Sequence, residues 1–212
     1  MIGMSETTEA EDNEVAVLTT PQEWRGFLEQ YSLLYAKVRA DEEELGDLLD
    51  EDQIEALEEG GRVDLWLGGA AAREEALDVA EDRLGVTFPP SLRGFFLASD
   101  GWTRLEDNVD AVHPCGRLGW MRDSEAGSRV IETYASITGN EDDVELFRRS
   151  LQIARGEDFW LLDPTEAGPD GEWAAYEFAP KYGDTTKHPS FYALFRTGYE
   201  SMQEDADDED LD

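Results

Sequence analysis

Residues 76–102, ALDVAEDRLGVTFPPSLRGFFLASDGW, are the stretch on which the reading of this chain turns. Ala76, Leu77, Ala80 and Leu84 fall on one side of a helix predicted over 72–84, and Gly85 lies just past its end, where a left-handed stop needs a residue without Cβ. Val86, Thr87 and Phe88 read as extended, because the residue before a proline is pushed out of the helical region. Pro89-Pro90 pre-sets a second helix, in which Leu92, Phe95 and Phe96 face inward. Asp100-Gly101 then marks a turn.

On the N-terminal side, Val63, Leu65 and Leu67 alternate with Arg62, Asp64 and Trp66 and predict a short strand before Gly68-Gly69. Residues 41–60 are mostly Asp and Glu with Leu45, Leu48, Leu49, Ile54 and Leu57 interspersed, which fits one or two short helices stopped at Gly60-Gly61. Further upstream, Thr20, Pro21 and Glu23 form a capping box with proline in the first turn. Trp24, Phe27, Leu28, Tyr31, Leu34, Tyr35 and Val38 follow at helical spacing to about residue 39; the stripe is either core or a partner groove. Residues 1–18 are acidic and aperiodic, and are expected to be disordered. Residues 19–69 are therefore expected to form a helical extension to the domain that follows.

On the C-terminal side, short apolar stretches at 111–115 and 118–120 suggest strands. Val130 to Ile137 fits either helix or strand, and 141–149 fits a helix. Leu151–Ala154, the Gly156-Glu157 turn and Phe159–Leu162 predict a β-hairpin that ends at Asp163-Pro164. Trp173 to Phe178 predicts another strand, and Ser190 N-caps a helix carrying Phe191, Leu194, Phe195 and Tyr199. Residues 204–212 read as a disordered acidic tail. Helices mixed with short consecutive strands, without regular alternation, predict an α+β fold.

The charge limits the function. There are 51 acidic and 17 basic residues, a formal net charge of −34. Direct nucleic-acid binding requires Lys and Arg at phosphates, and an anionic membrane would repel this field; a strongly basic protein would be steered toward it. Solubility and adaptation to a high-salt cytosol are the competing explanations. One cysteine and two histidines give no disulfide framework and no zinc set. The absence of a basic n-region and of a roughly 20-residue apolar run predicts a soluble, cytoplasmic protein.

No nucleophile elbow, phosphate loop or HExxH pair occurs in the sequence. Asp184, His188 and Ser190 are triad residue types, but they crowd one predicted loop. The sequence thus suggests no enzyme, cofactor or metal.

The block at 76–102 resembles the SUKH superfamily, which contains the fungal Smi/Knr cell-wall regulators and many bacterial immunity proteins. Glu81, Leu84, Gly85, Val86, Phe88, Pro89, Phe95, Phe96, Leu97 and Gly101 occupy its motif positions, with Asp100 in place of the commoner Asn. FWLLDP at 159–164, WAAYEF at 173–178 and SFYALF at 190–195 resemble the later strands and closing helix, so the resemblance covers roughly 70–203. It implies an antiparallel or mixed sheet packed with helices, the motif residues acting as fold determinants. It also implies a non-enzymatic immunity protein that neutralises a basic, nuclease-like toxin domain; the alternative is a regulatory or scaffold module of the same fold. Two loops are the candidate partner surfaces. Trp102, Glu106, Asp107 and Asp110 follow the motif, with Trp102 either an exposed anchor or core, and Asp170 and Glu172 lie in the second loop.

Overall fold

A computed structural model of the chain describes residues 16–106 and 108–209. Helix α1 (Pro21–Val38) starts as its sequence dictates: Thr20 accepts from the Glu23 N–H, and the Glu23 carboxylate accepts from the Thr20 N–H. Asp41 caps α2 (Glu42–Leu48) by accepting from the Glu44 N–H alone, while Asp50 and Gln53 form the same reciprocal box at the start of α3 (Glu51–Glu58). The chain turns at Gly60, whose φ of 73° is open to glycine at no steric cost. Val63, Leu65 and Leu67 are buried as the alternation predicts, but they form no strand; a bridge from Gly68 to Trp102 is the pairing there.

The motif block folds as α4 (Glu74–Leu84), a stop at Gly85 with φ 72°, and α5 (Pro90–Ala98), capped by Pro89. Leu84, Phe88, Phe95 and Phe96 are buried, whereas Val86 is half-buried. Glu81 acts as a mechanical latch. Its Oε1 accepts from the Phe88 N–H at 2.7 Å and its Oε2 from Arg93 at 2.8 Å, so one carboxylate fastens the link between the helices. Arg93 also reaches Glu74 and Asp78. At the turn, Gly101 has φ 99°, and Asp100 accepts from the Cys115 N–H.

Two antiparallel sheets follow. The smaller has the order β1 (Trp102–Glu106), β2 (Val109–Val112), β5 (Ala154–Gly156). The larger has the order β3 (Gly119–Trp120), β4 (Leu151–Gln152), β6 (Phe159–Ala167), β7 (Trp173–Ala179), β8 (Asp184–His188). The predicted hairpin exists, with Leu151 opposite Leu162, but its first arm changes sheets at Ile153. Strand β6 does not end at Pro164. It runs on to Ala167, beyond the end of β4, and a register irregularity between Asp163 and Ala167 absorbs the missing N–H. Residues 184–188, expected as a loop, form edge strand β8. Between β3 and β4, α6 (Glu125–Ala135) and α7 (Glu141–Arg149) are both helices, which resolves the ambiguity at 130–137.

The period-two alternation of β6 and β7 divides the core between the faces of the larger sheet. Phe159, Leu161, Ala174, Tyr176 and Phe178 pack with Ile131, Val144 and Phe147 of α6 and α7. Trp160, Leu162 and Ala175 face α1, α5 and α8 (Phe191–Glu209). The fold is thus α+β.

Residues 19–69, taken from the sequence as an extension, share this second cluster. Trp24 is fully buried among Phe27, Phe95, Phe191, Tyr192 and Phe195, and donates its indole N–H to Leu18 O at 3.0 Å. The boundary near 69 rested on the reach of the resemblance, roughly 70–203, and a resemblance that stops at 70 does not show that the core stops there. Val17 and Leu18, expected to be disordered, pack against the core; residues 1–15 lie outside the described residues. The expected tail is also corrected. Helix α8 continues through Glu209, with Met202 buried and Asp205 paired with Arg39 at 2.6 Å; 210–212 lie outside the described residues. Glu204, Asp207 and Asp208 are exposed while Tyr199 and Met202 continue the buried face.

Candidate functional site

The expected partner residues do not form one surface. Asp110 is exposed on β2. Glu106 ends β1, its backbone opposite Val109, and Asp107 lies outside the described residues. Trp102 is not an exposed anchor: it is 1% exposed, with its ring against Tyr31, Trp66 and Phe195. Its first-strand position and its bridge to Gly68 bury it. Asp170 is exposed, but Glu172 is only 4% exposed and is also corrected. Glu172 caps α5 from outside, its two oxygens accepting from the Ser91 N–H at 2.7 Å and the Ser91 hydroxyl at 2.5 Å. Helix α5 begins with two prolines and has no side-chain cap of its own, so the carboxylate satisfies an N–H that would otherwise be orphaned. Asp110 lies beside the β5 end of the sheets, near the start of β6, and Asp170 follows the far end of β6. Nine residues of strand, roughly 25–30 Å, separate the two loops.

Burial pushes the Glu172 carboxyl above its ordinary range, and the Ser91 donors oppose that shift. A carboxyl raised on folding contributes stability that is complete below its unfolded value near 4.5 and is lost as pH rises through the folded value. Glu172→Gln keeps the shape, and the Ser91 hydroxyl can turn to accept from the amide. The parent is therefore expected to gain stability relative to Glu172→Gln as pH falls from 7 toward 5. Urea unfolding of both proteins at the two pH values checks this, and a gap that widens against the parent would contradict the cap's assigned state.

The Asp110 loop opens onto a cavity of about 750 Å³ between α1, α2, α8 and the β1–β2 hairpin. Tyr35 comes from α1 and Arg39 from its C-cap, Glu44 from α2, Arg104 and Asp110 from the hairpin and Ser201 from α8. Glu44 is the hub. It accepts from the Tyr35 hydroxyl at 3.1 Å and pairs with the Arg104 Nε, while Arg39 pairs with Asp205 and donates to the Ser201 hydroxyl at 3.3 Å. The four charged side chains of these two pairs are between a quarter and a half exposed. Arg104 reaches Glu44 because β1 is irregular between Thr103 and Glu106, and its φ is 59°. Among the described residues it is the one non-glycine with a positive φ. Sequence reasoning missed Tyr35, Arg39, Glu44, Arg104 and Ser201. They converge from four elements, and only the acidic content of α2 was visible locally.

The nucleophile candidates have structural duties. Ser190 is buried and caps α8 by accepting from the Ala193 N–H at 3.1 Å, while Asp184 and His188 lie at opposite ends of β8. Burial and the neighbouring Asp100 push the Cys115 thiol up to about 11, which leaves little thiolate at neutral pH. Burial lowers His113, aided by Arg155 and Arg117. Among the described residues no group of three or more His, Cys, Asp or Glu is placed to hold a metal ion, and no helix is long and apolar enough to cross a membrane.

No protein-family model matches the chain, and no curated protein matches it significantly.

Proposed function

We propose that the chain is a non-enzymatic binding protein of the SUKH immunity type, which neutralises a basic toxin domain in the cytoplasm by engaging it at the groove between α1, α2, α8 and the β1–β2 hairpin. The observation that carries the reading is the placement of charge around that groove. The groove itself is lined by two carboxylates, Glu44 and Asp110, and two arginines, Arg39 and Arg104; the excess negative charge stands outside it, in the acidic first turn of α2 and in the run EDADDE that ends α8. Such a surface complements the phosphate-holding face of a nuclease and steers its approach.

Binding kinetics against a toxin domain encoded beside this chain, at about 50 and 200 mM salt, test the reading. The association rate is expected to fall steeply with salt, since exposed charges are screened over about 8 Å at physiological ionic strength. Reversing Glu43 and Asp110 to Lys is expected to slow association about tenfold and to change dissociation much less. Salt-independent association that ignores both reversals would reject the groove as the steering surface.

A further inference from the structure

Resting on that reading, we propose that Glu44 is the subsite for a basic side chain of the partner, and that Arg104 is an internal occupant which the partner's arginine displaces. The cavity already holds a guanidinium where a basic ligand would be recognised. Glu44 is positioned in advance to receive one. Its N–H is held by the Asp41 cap at 2.9 Å, and the Tyr35 hydroxyl fixes its carboxylate. Contacts from two different directions thus orient the acceptor before any partner arrives, which reduces the ordering cost of binding.

The occupant is less well placed than the acceptor. Arg104 adopts the left-handed backbone that L-residues with a Cβ avoid, within the irregular part of β1 that carries it toward the cavity. The Arg104 side chain keeps about a third of its surface in water, so a competing cation can reach the same carboxylate. A competing guanidinium from a partner would need no such backbone, and Arg104, in the middle of β1, already has its side chain partly in solvent. The second arginine of the cavity, Arg39, stays engaged with Asp205 and Ser201 and marks the opposite wall.

The experiment measures binding of a nona-arginine peptide by fluorescence anisotropy at about 50 mM salt, using the full chain. Arg104→Gly removes the competitor and suits the positive φ; Arg104→Asn, which also tolerates it, serves as a second variant if glycine loosens the hairpin. Either is expected to bind about fivefold tighter than the parent, the factor equivalent to an exposed ion pair of about 1 kcal/mol. Arg129→Gln, on the exposed face of α6, changes net charge equally and is expected to give much less. The decisive comparison adds Glu44→Gln, which is expected to abolish the gain from Arg104→Gly. A gain equal to that of Arg129→Gln, or one that survives Glu44→Gln, would overturn the displacement proposal while leaving the groove reading intact. Failure of the parent itself to bind the peptide would overturn both.

Discussion

Replacing Trp24 by Ala is expected to destabilise the protein by about 3–5 kcal/mol, as large as any single truncation in the main core. The ring is fully buried, and the residues around it come from α1, α5 and α8, so the cavity left behind cannot collapse without moving three helices. Losing the indole also leaves the Leu18 carbonyl without its donor. Chemical unfolding followed by tryptophan fluorescence and by circular dichroism checks both the size and the cooperativity. A cost below about 1 kcal/mol would mean that α1 is an appended layer, and two transitions in the parent would mean the same.

Replacing Arg149 by Met is expected to have the second largest effect. Asp163 on β6 is fully buried, and Arg149 at the end of α7 donates to it at 2.6 Å. Thr165 supplies two further donors to the other carboxylate oxygen. Arg149 also reaches Glu166, which in turn holds Lys187 and the Tyr176 hydroxyl, so one network fastens α7 to β6, β7 and β8. Without the guanidinium a buried charge loses its counter-ion, a change that typically costs about 3–5 kcal/mol. Arg149 keeps about a third of its side chain in water, so the lower end of that range applies. Adding Asp163→Asn to Arg149→Met is expected to recover much of the loss. A double-mutant cycle with a coupling near zero would reduce the pair to an ordinary surface bridge.

The fold was legible wherever a local rule carried it. The capping box at Thr20, the stop at Gly85, the extended link before Pro89 and the 151–162 hairpin all rest on neighbours within a few residues. Errors came where burial depended on remote partners. Trp102 could be read as either an exposed anchor or core, and Glu172 looked exposed because it sits in an acidic loop, yet Tyr31 and Ser91 cover them from 71 and 81 positions away. The helix through 204–209 had a readable signal, since Phe195, Tyr199 and Met202 keep helical spacing; the density of Asp and Glu masked it. Of the groove, only Asp110 was anticipated. An ion pair such as Arg104 with Glu44 depends on a strand irregularity and on how helices cross, and neither is written in composition or spacing.

The clasp of α1 against α8 has a consequence during synthesis. Trp24 and Phe27 leave the ribosome more than 160 residues ahead of Phe191, Tyr192 and Phe195, the rings of α8 that pack on them. At about 5–20 residues per second, the first helix spends roughly ten to thirty seconds with its aromatic stripe uncovered. Contacts of such long sequence separation also slow the final closure. The acidic stretches that precede and follow that stripe carry strong like charge on every nascent copy, and so keep neighbouring unfinished chains apart until the clasp can form.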